Sequence, residues 1–105
     1  MSKRLEMLEK LVGQNSDPFA RYALALEYGK VERWDDALAS FDALRAAHPD
    51  YLPMYLMAGQ MLIQRQRNAE ACQWLKAGID LAKRTGDPKA ASELEAALAT
   101  ASSAD

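Results

Sequence analysis

Residues 24–41, LALEYGKVERWDDALASF, and residues 58–75, AGQMLIQRQRNAEACQWL, align at a constant offset of 34 residues. The matched apolar and small residues are Leu24 with Ala58, Ala25 with Gly59, Tyr28 with Leu62, Ala37 with Ala71, and Phe41 with Leu75. A period of this length is typical of a repeated helical hairpin. One hairpin cannot bury its apolar face alone, so the pattern predicts units that stack on one another.

The composition is that of an ordinary globular chain with room for one domain. The chain has 105 residues, of which 50% are hydrophobic and 27% are charged. Alanine is abundant and β-branched residues are scarce, which favours helices over strands. The net charge is −2 and both signs are interspersed. This balance argues against a surface for nucleic acid or for an anionic membrane.

The cellular location is predicted from the N-terminal sequence and the cysteine count. The start of the chain alternates charge and leucine, unlike a signal peptide, and no apolar stretch approaches the ~20 residues of a membrane span. The single cysteine, Cys72, excludes an intramolecular disulfide. We therefore expect a cytoplasmic protein.

Apolar spacing and helix-terminal residues predict six helices. The predicted helices are Lys3–Gly13, 17–30 with Asp17 as N-cap and Pro18 in the first turn, 34–48, one opened by Asp50 and ending near 65–67, 68–84 with Asn68 as cap, and 87–100. Short connections predict that successive helices pack antiparallel. Residues 102–105 should fray.

These motifs resemble those of the tetratricopeptide repeat (TPR) family. Residues 18–51 supply Leu24-Ala25, Tyr28, Ala37, Phe41 and Pro49, and residues 52–85 supply Tyr55, Ala58-Gly59, Leu62, Ala71 and Leu75. The first unit departs from the pattern at the opening bulky position, which is Arg21, and the second has Lys83 where a proline is expected.

The resemblance implies an all-α fold, in which antiparallel hairpins stack in a right-handed superhelix. Residues 18–51 and 52–85 would be two repeats. Residues 1–16 and 86–101 would be N-terminal and C-terminal capping helices, and 102–105 a frayed tail. The resemblance also implies a protein-binding module.

The sequence offers no catalytic, metal or cofactor site. His48 directly precedes Pro49, where its imidazole is expected to bond free carbonyls at the end of its helix. Cys72 is expected to be a small buried thiol, and Trp34 and Trp74 to pack against preceding helices. Nucleotide-binding, hydrolase and metalloprotease motifs are absent from the sequence. We expect no enzyme and no cofactor.

In the TPR family, the first helix of each hairpin lines a concave groove. By repeat phase, the groove residues are Phe19, Tyr22, Leu26 and Lys30 in the first unit, Tyr51 at the joint, and Leu56, Met57, Gln60, Ile63 and Gln64, with Pro53, in the second. Some members bind acidic chaperone tails through Lys, Asn and Arg. Here Tyr22, Leu26 and Met57 replace expected clamp residues, so that activity is not expected.

Two functional classes follow from this groove. The first is a module that binds a peptide or an amphipathic helix of a partner protein. The second is a structural protein that self-associates through the groove or through its terminal helices. A third interpretation is structural, because flanking helices could bury Leu26 and Leu56, and less readily Tyr22 and Met57, as core.

Overall fold

The structure, a computed structural model, describes residues 3–103. This part of the chain forms six α-helices and no strands, with the bounds α1 Lys3–Gln14, α2 Pro18–Lys30, α3 Trp34–Ala47, α4 Pro53–Gln64, α5 Asn68–Arg84 and α6 Pro88–Ser103. The helices divide into two compact units at the bond between Pro49 and Asp50. Unit 1 contains α1–α3 and unit 2 contains α4–α6. The all-α prediction is confirmed.

Two aspartates begin helices as their sequence context predicts. The Asp17 carboxylate accepts a hydrogen bond of 2.9 Å from the backbone N–H of Phe19, and Pro18 occupies the first turn of α2. The Asp87 carboxylate accepts one of 3.0 Å from the backbone N–H of Ala90 in α6. Each bond satisfies a backbone donor that has no partner within its own helix.

Three predicted boundaries are wrong. The fourth helix begins at Pro53 rather than at Asp50, because Pro53 has no N–H to extend the helical ladder backwards. Asn68 is the first residue of α5 rather than its cap, and its buried Oδ1 has no hydrogen-bond partner. Residues 102 and 103 are helical rather than frayed, since the fully buried Ala101 anchors the last turn of α6. Residues 104 and 105 lie outside the described part.

The core of unit 1 lies between α2 and α3, and α1 packs on α2. Ala25, Ala37, Phe41 and Leu44 are 0% exposed there. In α1, by contrast, only Leu5 is buried. The apolar part of the contact between α1 and α2 is therefore small.

Polar contacts reinforce the attachment of α1. Arg4 Nε lies 3.1 Å from the carboxylate of Glu27, which is only 8% exposed. The Tyr28 hydroxyl donates a hydrogen bond of 2.5 Å to Glu9. That bond, together with burial, raises the pKa of Tyr28 to about 12, because both favour the neutral phenol. The phenol therefore stays protonated at neutral pH and serves as a structural donor.

In unit 2, α5 packs against both α4 and α6, and α4 also contacts α6. Two glycines mark the closest approaches. A Cβ added to Gly59 would lie 2.5 Å from Cδ2 of Leu75. A Cβ added to Gly78 would lie 2.6 Å from Cβ of Tyr55 and 3.0 Å from Cδ2 of Leu94. The three helices thus meet at Gly78, where any larger residue must displace a neighbour.

The 34-residue register predicts burial correctly. All ten matched residues are buried: Leu24, Ala25, Tyr28, Ala37, Phe41, Ala58, Gly59, Leu62, Ala71 and Leu75. Ala37 and Ala71 are both 0% exposed. Trp74 is also buried, with its ring centroid 5.8 Å from that of Tyr55 on the preceding helix.

The helix-joining turns follow the same register. Glu32 has φ 61° and Gln66 has φ 59°, so two residues with side chains adopt the left-handed conformation at matched positions. In each turn the next residue donates a backbone hydrogen bond across the turn, from Arg33 to Tyr28 and from Arg67 to Leu62. Side chains disfavour this conformation because Cβ approaches the following carbonyl oxygen.

Glu32→Gly and Gln66→Gly are each expected to raise the free energy of unfolding by about 0.5–1 kcal/mol, since glycine adopts positive φ without this penalty. Urea denaturation measures the change. Glu6→Gly, on an exposed helical position of α1, is the matched control and should lower stability by a similar amount. A loss of stability at residues 32 and 66 would show that these turns are not left-handed.

Candidate protein-binding site

One face of α4 is free of charge and open to solvent. Of the six helices in residues 3–103, α4 alone contains no Asp, Glu, Lys or Arg. Its opposite side is fixed in the core of unit 2, because Met54, Tyr55, Ala58 and Leu62 are buried there. The side chains that remain partly or fully exposed, called the α4 face below, are Pro53, Leu56, Met57, Gln60, Ile63 and Gln64.

Every residue of α4 that repeat phase assigns to the groove belongs to this face. Leu56 and Met57 are half-buried, so α5 and α6 do not cover them completely. Gln60 and Gln64 are exposed. An apolar helix face with amides at its edge can exclude water from a ligand while keeping a few directional contacts. Its use in binding stays a prediction.

The C-terminal half of the α4 face opens into a cleft against α6. The cleft measures about 350 Å³ and is lined by Gln60, Ile63, Gln64, Ala97 and Thr100. None of the five is charged. Ala97 and Thr100 were missing from the predicted groove, because α6 was assigned only a capping role. A signal was available, since Ala97 follows Ile63 by the same 34 residues that relate the two repeats.

Unit 1 carries a second partly apolar face, on α2. Phe19 is 62% exposed, Tyr22 and Leu26 are half-buried, and Lys30 is exposed. The other side of α2 is buried through residues such as Leu24 and Ala25. Tyr51, predicted at the joint, is half-buried in the turn before α4, and its carbonyl accepts a backbone hydrogen bond from Met54.

Two expected local environments are different in the structure. His48 Nε2 lies 3.0 Å from the carbonyl oxygen of Ser16, so the imidazole links the end of α3 to the α1–α2 loop instead of its own helix. Cys72 is partly exposed rather than buried, with Sγ 3.9 Å from the hydroxyl of Ser102. The sequence could not predict either contact, since both partners are about 30 residues away along the chain.

Two further features bear on site chemistry. Within residues 3–103, no three His, Cys, Asp or Glu side chains are grouped as a metal site would require. No helix in the same range combines the length and apolar character of a membrane span.

Comparison with known proteins gives a family and solved structures of similar fold. The family model described as tetratricopeptide repeat matches residues 22–88. The solution structure of a tetratricopeptide repeat domain protein from Salinibacter ruber is 36% identical, with a TM-score of 0.80, covering 85% of this chain and 90% of that chain. The crystal structure of that domain gives 36% identity and a TM-score of 0.77, covering 85% and 99%.

A third similar structure extends over the whole chain. The solution structure of a protein from Bordetella parapertussis has a TM-score of 0.82 and 27% identity, and the match covers 100% of this chain and 92% of that one. No curated protein matches the chain.

Proposed function

Because the chain belongs to the tetratricopeptide repeat family, whose domains mediate protein–protein interactions, we propose that it binds a segment of a partner protein on the α4 face. The observation that carries the proposal is the absence of charge from α4, together with the exposure of Leu56, Met57 and Ile63 to at least part of the solvent. An apolar surface of this kind is typical of an interaction site.

The physical basis of binding is the burial of hydrocarbon. Removing apolar surface from water contributes about 25 cal/mol per Å², less the cost of ordering the ligand. Met57 is suited to this role because its flexible side chain adapts to different ligand shapes. The ligand would be a peptide or an amphipathic helix, and Gln60 and Gln64 would orient it by hydrogen bonds.

The residues predicted on α2 extend the proposal to unit 1. Phe19, Tyr22 and Leu26 would contribute apolar contacts, and Lys30 a polar one. Tyr51 would add an aromatic contact at the start of unit 2. Domains of this family are typically non-enzymatic, and we propose no catalytic activity. We also propose a cytoplasmic location, in which the lone Cys72 would stay reduced.

Met57→Lys tests the proposal. The variant is expected to keep the circular-dichroism signal and melting temperature of the wild type, because lysine can extend from a half-buried position to solvent. It should lose most affinity for peptides that the wild type selects from a displayed random library, as measured by fluorescence anisotropy. Wild-type binding should change little with salt concentration.

Met54→Lys is the matched control, since Met54 is 0% exposed on the same helix and its replacement should unfold unit 2. Unfolding by Met57→Lys as well would mean that Met57 is core. Unchanged affinity of a folded Met57→Lys would move the binding surface away from α4.

Self-association is the second candidate, and an exposed pair on α1 favours it. Met7 is 69% exposed and Leu11 is 41% exposed, one helical turn apart on the first helix. A second copy of the chain could cover this pair or the α4 face. The mass in solution at micromolar concentration separates the two functions, because a monomer excludes the homo-oligomer at that concentration.

A further inference from the structure

The spacing of two glutamines in the α4–α6 cleft matches the repeat of an extended peptide. Gln60 and Gln64 are four residues apart on α4, which corresponds to a rise of about 6 Å. Two residues of an extended chain span about 6.6 Å. Each glutamine amide offers both donors and an acceptor, as does each backbone peptide group. The two side chains can therefore meet the backbone groups of alternate residues on one edge of a strand.

The size of the cleft also favours an extended ligand over a helix. At about 350 Å³ it lies at the small end of the range for ligand pockets, whereas a helix with its side chains is about 10–12 Å across. The backbone groups of a helix are already paired within the helix and have no use for the glutamines. An extended segment has free N–H and C=O groups that need partners.

The lining of the cleft selects against charge in the ligand. Gln60, Ile63, Gln64, Ala97 and Thr100 carry no ionised group that could pair with a ligand charge. A charged side chain bound there would lose water without gaining a counter-charge. The lining therefore complements a neutral segment.

We propose that the α4–α6 cleft binds an extended, uncharged peptide segment of a partner protein. Gln60 and Gln64 bond to the backbone of two residues that are two apart, while one row of ligand side chains lies against Ile63 and Ala97. This inference rests on the proposed function, and it specifies the ligand conformation and the residues that select it. At the matched positions of unit 1 the side chains are Leu26 and Lys30, so the amide pair is specific to α4.

The protein side of the test uses the full chain carrying Gln60→Leu and Gln64→Leu together. This double variant keeps the side-chain length and adds apolar surface, but removes the amides. Peptides selected by the wild type from a displayed random library are the probe. We expect their affinity to fall by about ten- to hundredfold, since two hydrogen bonds are lost and their backbone partners are left unsatisfied. Gln73→Leu, at an exposed position of α5, should leave affinity unchanged.

The peptide side of the test reads the ligand conformation. Methylation of single backbone nitrogens should weaken binding at two positions that are two residues apart, and should have little effect at the residue between them. Substitution with α-aminoisobutyric acid, which favours helix, should also weaken binding. Tighter binding of the helix-favouring peptides would overturn the inference, as would selection of peptides with charged centres or of none.

The two proposals can fail separately. If the glutamine double variant binds normally while Met57→Lys does not, the α4 face binds its ligand by apolar contact alone and only the extended-peptide inference is wrong. If both variants bind normally, the proposed function on α4 is wrong as well.

Discussion

Ala71→Glu is expected to unfold unit 2, so that the helical signal of this unit is lost well below the melting temperature of the wild type. Ala71 is 0% exposed in α5, and a glutamate there would bury an unpaired carboxylate. Such a burial costs several kcal/mol, which is comparable to the ~5–15 kcal/mol that stabilises a whole domain. A circular-dichroism melt gives the measurement.

The control for this experiment is Ala69→Glu, which makes the same chemical change two residues earlier on an exposed position of α5. It should alter the melting temperature only slightly, since exposed substitutions usually change stability by less than about 0.5 kcal/mol. Matching melts of Ala71→Glu and the wild type would show that the repeat register is wrong.

Gly78→Ala should lower the free energy of unfolding by about 2 kcal/mol, although alanine is the better helix former. The new Cβ would lie 2.6 Å from Cβ of Tyr55, an atom that cannot move without shifting α4. Overpacking of this kind costs about 1–3 kcal/mol, and the propensity gain of up to about 1 kcal/mol offsets only part of it. Urea denaturation followed by circular dichroism measures the difference.

Gly13→Ala provides the opposite case. Gly13 lies in α1, and a Cβ added to it meets nothing within 4 Å. The propensity gain is then unopposed, and stability should rise by about 0.5–1 kcal/mol. A stabilising effect of Gly78→Ala would mean that α4, α5 and α6 do not converge at this glycine.

The repeat period predicts the buried positions well because hairpins of one type place equivalent residues at equivalent helix contacts. Ala37 and Ala71 are small for the same steric reason, and the left-handed Glu32 and Gln66 close the same turn twice. The period fails where a unit has a neighbour that the other lacks. Gly78 matches Leu44, yet it must be glycine because Tyr55 and Leu94 both approach it.

The same reasoning separates what could be predicted of the candidate site from what could not. Once Met54, Tyr55 and Leu62 are known to face the core, helical geometry requires Met57 and Gln60 to lie on the other side. Ala97 and Thr100 could not be placed in this way, because their presence in the cleft depends on how α6 packs against α4. The partners of His48 and Cys72 likewise depend on tertiary contacts rather than on local sequence.

The packing order of the helices also bears on how fast the chain folds. Within unit 1 the main contacts join α1 to α2 and α2 to α3, and within unit 2 they join α4 to α5, α5 to α6 and α4 to α6. Nearly all of these partners are neighbours along the chain, so little loop-closure entropy is lost before stabilising contacts form. Helical domains with such low contact order fold in microseconds to milliseconds. On a ribosome, unit 1 could therefore form its own core before α6 is synthesised.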